Sequence, residues 1–202
     1  MDIAVLTFDG FNEIDSFVAL HILGRLAGPD WRVHLAAPEP TVTSMNGVTV
    51  TAGCSLDDAA RMDAVLIGSG MKTRQLAADA SLMAQVRIDP SRQLVGSQCS
   101  GALMLAALGL LDGVPACTDQ TTRPSLIDAG VEVLDGPFHA TGNVATAGGC
   151  LSGVYLAAWI ITRLDSEDAA RKALHLVAPV GEADTYVDHA IDVACAAMPL
   201  SR

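Results

Sequence analysis

The sequence lacks the features that mark several large classes of protein. Its five cysteines are odd in number and contain no C-x-x-C pair, so neither a disulfide framework nor a metal site is indicated. Its longest apolar segments, residues 102–111 and 154–161, are shorter than the roughly 20 residues that a membrane span needs. Residues 1–6 have no basic leader and predict a strand rather than a signal peptide. We therefore expect a cytoplasmic protein with no membrane role.

Positive charge is also scarce. The chain has 12 Lys and Arg residues against 23 Asp and Glu residues, which gives a formal net charge of -11. No cluster of basic residues stands apart from that balance, and a surface of this sign repels phosphate backbones. We expect a small-molecule substrate and no nucleic-acid partner.

A complete glycine fingerprint is missing too. Gly68-Ser69-Gly70 follows an apolar run, and its backbone N–H groups are placed to line an anion site. No third glycine completes the pattern that binds dinucleotides. We therefore expect no cofactor.

What the chain does contain predicts one α/β domain over residues 1–202, since half of the composition is hydrophobic. Apolar runs bounded by turn residues predict strands, and apolar residues at helical spacing predict helices. The predicted strands are 3–8, 31–37, 63–67, the run before Cys99, 131–134 and 143–147, with a hairpin over 41–51. The predicted helices are 11–23, 73–86, 102–109, 151–164 and one that begins at Ser166.

The most informative stretch is residues 93–109. An apolar strand breaks at Cys99, which Ser100 and Gly101 follow, and an alanine- and leucine-rich helix continues the chain. A cysteine at such an elbow stands clear of the sheet and faces the unpaired N–H groups of a helix end, which favours a thiolate and a lowered pKa. We predict that Cys99 is a nucleophile and that the other four cysteines are structural.

Two acids, Glu13 and Asp15, begin the helix that follows the first strand. In an open parallel sheet ligands collect outside the carboxyl ends of the strands, so an acid here is well placed to meet Cys99. Capping of the helix is the alternative role for both acids.

Other titratable groups carry weaker signals. The five histidines show no ligand spacing, and none lies in a predicted catalytic turn. Asp184, Asp188 and Asp192 recur every fourth residue, which predicts a solvated helix face rather than a metal site.

Taken together, these elements resemble the ThiJ/PfpI superfamily, the class I glutamine amidotransferase-like proteins, over most of the chain. The markers of the resemblance are the acid-bearing turn at 11–23, Gly68-Ser69-Gly70, the elbow at 97–101 and Thr146-Ala147-Gly148-Gly149 before a long helix. The resemblance implies a flavodoxin-like three-layer sandwich with a mostly parallel central sheet, and a homodimer.

Within that superfamily the chain is most similar to the isocyanide hydratase branch. The resemblance implies that Asp15 faces Cys99 as a general acid, because the register against the preceding strand selects Asp15 over Glu13. It also implies that the backbone N–H groups of Gly70 and Ser100 stabilise developing charge. Departures from the pattern are Gly68-Ser69-Gly70 for Pro-Gly-Gly, Gln98 for an apolar residue, and Tyr155 for an acid.

The remaining departure is Asp119, which stands where hydrolase and glyoxalase members carry a histidine. We assign Gln98, Asp119, Gly148 and Gly149 to the substrate pocket. The predicted reaction is hydration of an isocyanide to an N-substituted formamide through a Cys99 thioimidate. Two alternatives stay open: a thiol sensor or binding protein without turnover, and an amidase or glyoxalase-like hydrolase.

Overall fold

The central sheet has six strands, and a separate two-stranded hairpin lies beside it. A computed structural model describes residues 1–26 and 28–196. The strands are β1 (Asp2–Leu6), β2 (Arg32–Ala36), β3 (Thr41–Thr43), β4 (Thr49–Thr51), β5 (Ala64–Ile67), β6 (Leu94–Gln98), β7 (Phe138–Thr141) and β8 (Val144–Ala147). The order in the six-stranded sheet is β2-β1-β5-β6-β8-β7, and among its described pairs only β7–β8 is antiparallel.

Helices cover both faces of this sheet. They are α1 (Glu13–Leu23), α2 (Leu56–Ala59), α3 (Thr73–Ala78), α4 (Ala80–Met83), α5 (Ala102–Ala107), α6 (Arg123–Asp128), α7 (Gly153–Leu164), α8 (Glu167–His175) and α9 (Ala183–Ala196). Short 3-10 turns at Gly24–Leu26, Cys99–Gly101 and Cys150–Ser152 complete the helical elements of the described ranges.

Alternation along the strands divides the core into two layers. In β1, Ile3 and Val5 pack with α1, α7, α8 and α9, whereas Ala4 and Leu6 pack with the shorter helices α2 to α6. Successive side chains of a strand point to opposite faces, so a parallel strand covered on both sides is apolar throughout. This arrangement confirms the predicted three-layer α/β sandwich with a mostly parallel sheet.

The strand order also fixes where a ligand can bind. From β1 the chain goes first to β2 on one side and later to β5 on the other, so the order reverses between β1 and β5. Crevices in open α/β sheets lie at such reversals, outside the carboxyl ends of the strands. The segments that follow β1, β5 and β6 all begin at this edge.

The predictions for strands are confirmed in most of the sheet, with one error and one omission. Residues 131–134 are not a strand, because only a single bridge between Ala116 and Val133 forms there. Strand β7 was missed, although Gly142-Asn143 between β7 and β8 is a two-residue hairpin signal.

The helix predicted over 73–86 is interrupted at Asp79. This residue has extended backbone angles, and its carboxylate accepts hydrogen bonds from the N–H groups of Ser81 and Leu82 at the start of α4. A residue that caps the start of a helix has non-helical backbone angles, so α3 ends before Asp79 and α4 begins after it. Ser166 caps α8 as predicted, by accepting a hydrogen bond from the N–H of Ala169.

The aspartates of α9 lie on its solvated face, as predicted. Asp184, Asp188 and Asp192 are exposed, while Val187 and Ile191 on the other face are buried. No helix within residues 1–26 or 28–196 is both long enough and apolar enough to cross a bilayer.

Candidate active site

The elbow at Cys99 forms as the sequence predicts. Strand β6 ends at Gln98, the 3-10 turn Cys99–Gly101 follows, and α5 begins at Ala102. Cys99 has a φ of 47°, and it is the only residue other than glycine with a positive φ in the described part of the chain. This left-handed backbone turns the side chain away from the sheet toward the carboxyl edge.

Gly101 allows the elbow to pack closely against β5. A Cβ atom at position 101 would lie 2.7 Å from the carbonyl oxygen of Gly68 and 2.8 Å from that of Ile67. Cβ atoms in proteins do not approach other heavy atoms this closely, so the turn requires glycine at position 101. The close approach brings the Cys99 turn against the loop that follows β5.

Asp15 meets Cys99 from the first turn of α1. Asn12 caps this helix by accepting a hydrogen bond from the N–H of Ile14, and the Asp15 side chain then lies in the interior, 3% exposed. The Cys99 thiol donates to Asp15 Oδ1 across 3.6 Å between Sγ and oxygen. The hydroxyl of Ser69 donates to the other oxygen, Oδ2.

Glu13 serves a different purpose. Its carboxylate accepts hydrogen bonds from the Ser44 hydroxyl and from Asn46 Nδ2, and so it holds the β3–β4 hairpin against α1. The structure thus brings Asp15, and not Glu13, to the cysteine.

A second thiol completes the cluster, and the sequence analysis had left it as structural. Cys150 Sγ lies 3.9 Å from Cys99 Sγ, and Asn12 Nδ2 donates to Cys150 Sγ at 3.4 Å. The pairing of β6 with β8 gives a signal for this contact, because Gln98 and Ala147 are direct partners in parallel strands. Cys99 directly follows β6, and Cys150 follows β8 after two glycines, so both cysteines lie at the same edge of the sheet.

The charge state of Cys99 differs from the expectation. Burial, with the Asp15 carboxylate as the second cause, raises the pKa of Cys99 above its ordinary value, so the predicted lowering is wrong. Cys99 is only 4% exposed, and the cost of burying a thiolate outweighs any stabilisation by the helix end. The resting side chain is therefore a thiol.

The carboxyl group shifts in the same direction. Burial raises the pKa of Asp15, although the hydrogen bond from Ser69 opposes this shift. Burial likewise raises the pKa of Cys150. A carboxylate with a raised pKa is a stronger base than an exposed aspartate, and it accepts the Cys99 proton more readily.

The cluster opens into a cavity of about 370 Å³. The lining residues include Asp15, Ser69, Cys99, Ser100, Asp119 and Cys150. Although little of Cys99 is exposed, it forms part of this wall. A small molecule in the cavity therefore reaches the sulfur and the carboxyl group together.

Three predicted pocket residues lie elsewhere. Gly148 and Gly149 line a neighbouring cavity of about 470 Å³, which shares Asp119 with the first. Gln98 is buried, and its Nε2 donates to the carbonyl oxygens of Gly149 at 2.6 Å and Cys150 at 3.1 Å. Gln98 therefore fixes the backbone that carries Cys150 rather than contacting a ligand.

The two predicted backbone donors also differ from each other. The Gly70 N–H donates to Thr73 Oγ1 at 2.9 Å, so it is not available to stabilise charge on a substrate. Ser100 lines the cavity, and its hydroxyl donates to the same Thr73 oxygen at 3.0 Å. The Ser100 N–H belongs to a helix end, where backbone donors lack intrahelical partners.

Asp119 lines the cavity, but its carboxylate is engaged at the start of α6. Asp119 Oδ1 accepts hydrogen bonds from the N–H groups of Thr121 and Thr122, both at 2.9 Å. No histidine lines the Cys99 cavity within the described residues, in agreement with the sequence analysis.

The fold and this site define a class of protein: an α/β sandwich with a buried cysteine–carboxylate pair at the carboxyl edge of its sheet. Residues 1–163 match the DJ-1/PfpI family, and the chain belongs to that family. The isonitrile hydratase of Pseudomonas putida is 27% identical over 173 residues, which cover 85% of this chain and 75% of that protein.

Solved structures agree on the fold. A ThiJ/PfpI family protein from Pseudomonas syringae superposes with a TM-score of 0.78 at 22% identity, over 97% of this chain and 88% of the other. DJ-1 of Schizosaccharomyces pombe superposes with a TM-score of 0.75 at 18% identity, over 89% of this chain and 100% of the other.

Proposed function

We propose that this protein is a cysteine-dependent hydratase that converts small isocyanides into N-substituted formamides. The observation that carries the proposal is the contact between Cys99 Sγ and Asp15 Oδ1, 3.6 Å long, in the wall of a cavity that admits a small molecule. The similarity to the isonitrile hydratase of Pseudomonas putida supports the choice of substrate.

In the first half-reaction a bond forms between the Cys99 sulfur and the terminal carbon of the isocyanide. As the sulfur attacks, the thiol proton passes to Asp15, and Asp15 then donates this proton to the same carbon, which becomes the H–C of a thioimidate. No proton is gained or lost overall. Asp15 therefore acts first as a base and then as the acid.

In the second half-reaction water adds across the C=N bond of the thioimidate. The hydroxyl group bonds to carbon, and the second proton of the water reaches nitrogen through Asp15. Collapse of this adduct breaks the C–S bond, returns the hydroxyl proton to sulfur and releases the formamide. In this proposal the Ser100 N–H stabilises charge that develops in these steps.

The chemistry suits the residues of the cavity. An isocyanide needs a nucleophile and one group that relays a proton, and it does not need a separate histidine. An amidase or glyoxalase would need a further base to activate water, and the candidate, Asp119, is held by the N–H groups of Thr121 and Thr122. We therefore predict no turnover of methylglyoxal or peptide amides.

A thiol sensor is the second candidate, and Asp15 is the observation that favours it. A carboxyl group with a raised pKa can donate a hydrogen bond to an oxidised sulfur. The raised pKa of Cys99 opposes this function, because thiols react with peroxide as thiolates. Intact mass after mild peroxide, with and without Asp15→Ala, separates the sensor from the hydratase.

The deciding experiment is direct turnover. Purified protein is incubated with alkyl and aryl isocyanides in ¹⁸O-water, and we expect formamide that carries the label in its carbonyl group. Cys99→Ala should abolish the reaction, while Cys195→Ser, which changes a thiol on α9 that is not part of the cavity lining, should retain it. Absence of formamide, or a wild-type rate in Cys99→Ala, contradicts the proposal.

A further inference from the structure

Three potential metal ligands from distant parts of the chain converge in the cavity wall. Asp15, Cys99 and Cys150 each present one ligand atom, and these atoms lie within 4.8 Å of one another. The Cys99 sulfur is 3.6 Å from Asp15 Oδ1 and 3.9 Å from the Cys150 sulfur. The sequence alone predicts no metal site, because these three residues are far apart in the chain.

The two separations that involve the Cys99 sulfur match edges of a tetrahedral zinc site. With Zn–S bonds of about 2.3 Å and a Zn–O bond of about 2.1 Å, two sulfurs stand about 3.8 Å apart and a sulfur and an oxygen about 3.6 Å apart. The observed distances of 3.9 Å and 3.6 Å agree with these values. We propose that Asp15, Cys99 and Cys150 bind a zinc ion.

Hydrogen-bond donors surround the three ligands in the manner of a metal site. Asn12 Nδ2 donates to the Cys150 sulfur, and the Ser69 hydroxyl donates to the oxygen of Asp15 that does not face Cys99. Gln98 Nε2 lies 4.0 Å from the Cys99 sulfur. Outer partners of this kind orient ligands and tune the affinity for the ion.

Metal binding changes the charge of this cluster. Cys99 and Cys150 rest as thiols, and the two thiolates that bind a metal are stable beside the Asp15 carboxylate in a buried wall only when positive charge is paired with them. Arg74 lines the same cavity, but its guanidinium is bonded to the Thr121 carbonyl oxygen and the Ser125 hydroxyl. A bound zinc ion supplies the missing charge, and the two thiols release their protons to solvent as the Zn–S bonds form.

All three ligands line the cavity, so a zinc ion held by them would have room for water or a small molecule as a fourth ligand. Zinc on the Cys99 sulfur occupies the electron pair that would attack a substrate. Zinc binding therefore inhibits the proposed hydratase. The proposal for zinc itself does not depend on that function, since binding is measured without any substrate.

The test is calorimetric titration of metal-free protein with zinc, in a phosphine reductant that keeps the thiols reduced. We expect one zinc per chain. Cobalt added in place of zinc should give thiolate charge-transfer absorption and the visible bands of a tetrahedral site. Cys150→Ser should abolish both signals, and Asn12→Ala should weaken zinc binding by about 10–100-fold. Cys195→Ser is the matched control and should bind as wild type.

A second measurement needs no variant, in case Cys150→Ser does not fold. Iodoacetamide labels the cysteines of wild-type protein, and peptide mass spectrometry measures the rate at each one. One equivalent of zinc should slow labelling at Cys99 and Cys150 and leave Cys195 unchanged. Absence of protection at both sulfurs, absence of zinc binding to wild type, or full affinity in folded Cys150→Ser overturns the proposal.

Discussion

The thiol of Cys99 donates a hydrogen bond to Asp15, although 84 residues separate them in the chain. Burial raises the pKa of both groups; the charge of Asp15 raises the pKa of Cys99 further, and the hydrogen bond from Cys99 lowers the pKa of Asp15. The two side chains therefore behave as one unit that holds a proton between sulfur and oxygen.

Replacing Asp15 by asparagine removes the proton relay but keeps the size of the side chain. We expect Asp15→Asn to lower kcat for isocyanide hydration by about 10²–10⁴-fold, the usual contribution of a positioned acid–base group. The control is Glu13→Gln, two residues earlier on the same helix, which should turn over like wild type. Equal losses in both variants would assign Asp15 a structural role.

The pH dependence of Cys99 alkylation reports the raised pKa directly. Because the thiolate is the reacting form, the rate of iodoacetamide labelling at Cys99 should still be rising as pH passes 9.0, the ordinary value for a cysteine. Peptide mass spectrometry measures this rate against a free thiol in the same tube. A plateau near neutral pH contradicts the prediction.

The same assay on Asp15→Asn tests whether the charge of Asp15 contributes to the raised pKa of Cys99. Removing a negative charge beside the sulfur lowers the pKa of Cys99, so labelling at a fixed pH should be faster than in wild type. Slower labelling would mean instead that a protonated Asp15 donates a hydrogen bond to the thiolate.

Gly101→Ala tests the close contact beneath the elbow. The new Cβ would lie 2.7 Å from the carbonyl oxygen of Gly68, and we expect the free energy of unfolding to fall by about 1–3 kcal/mol. Gly24→Ala is the control, because a Cβ there meets nothing within 4 Å and φ is -65°. Urea unfolding followed by circular dichroism measures both variants, and equal stabilities would refute the contact.

We also predict a homodimer. Met71 and Leu151 are 68% and 73% exposed, and Met71 lines the cavity while Leu151 follows Cys150. Light scattering at micromolar concentration should give twice the mass of the chain. Leu151→Glu should shift the protein toward monomer, and Val180→Glu, at a fully exposed valine between α8 and α9, should not. A monomeric wild type contradicts this prediction.

Much of the fold could be predicted because its signals are local. The apolar run before Cys99, the small residues after it and the apolar helix that follows are contiguous, and they gave the elbow in the correct place. The position of Asp15 against Cys99 was predicted from the resemblance and the register of β1. The β7–β8 hairpin also has a local signal, Gly142-Asn143, which was missed.

The parts that were wrong depend on contacts between distant segments. The lowered pKa was predicted from hydrogen-bond donors and a helix end near the sulfur, and the burial of Cys99 and the charge of Asp15 outweigh them. Cys150 was left as structural because only the pairing of β6 with β8 brings it to the site. Gln98 was placed in the pocket because no local signal shows which way a side chain at the end of a buried strand points.

The left-handed backbone of Cys99 has an energetic cost. A residue with a side chain in this conformation gives up about 1–3 kcal/mol of folding free energy, which glycine would recover. The conformation that holds the sulfur in the cavity wall thus opposes the stability of the molecule, and the surrounding packing must offset it. Cys99→Gly would relieve the strained backbone but would remove the sulfur. At this one residue a gain in stability therefore comes with a loss of reactivity.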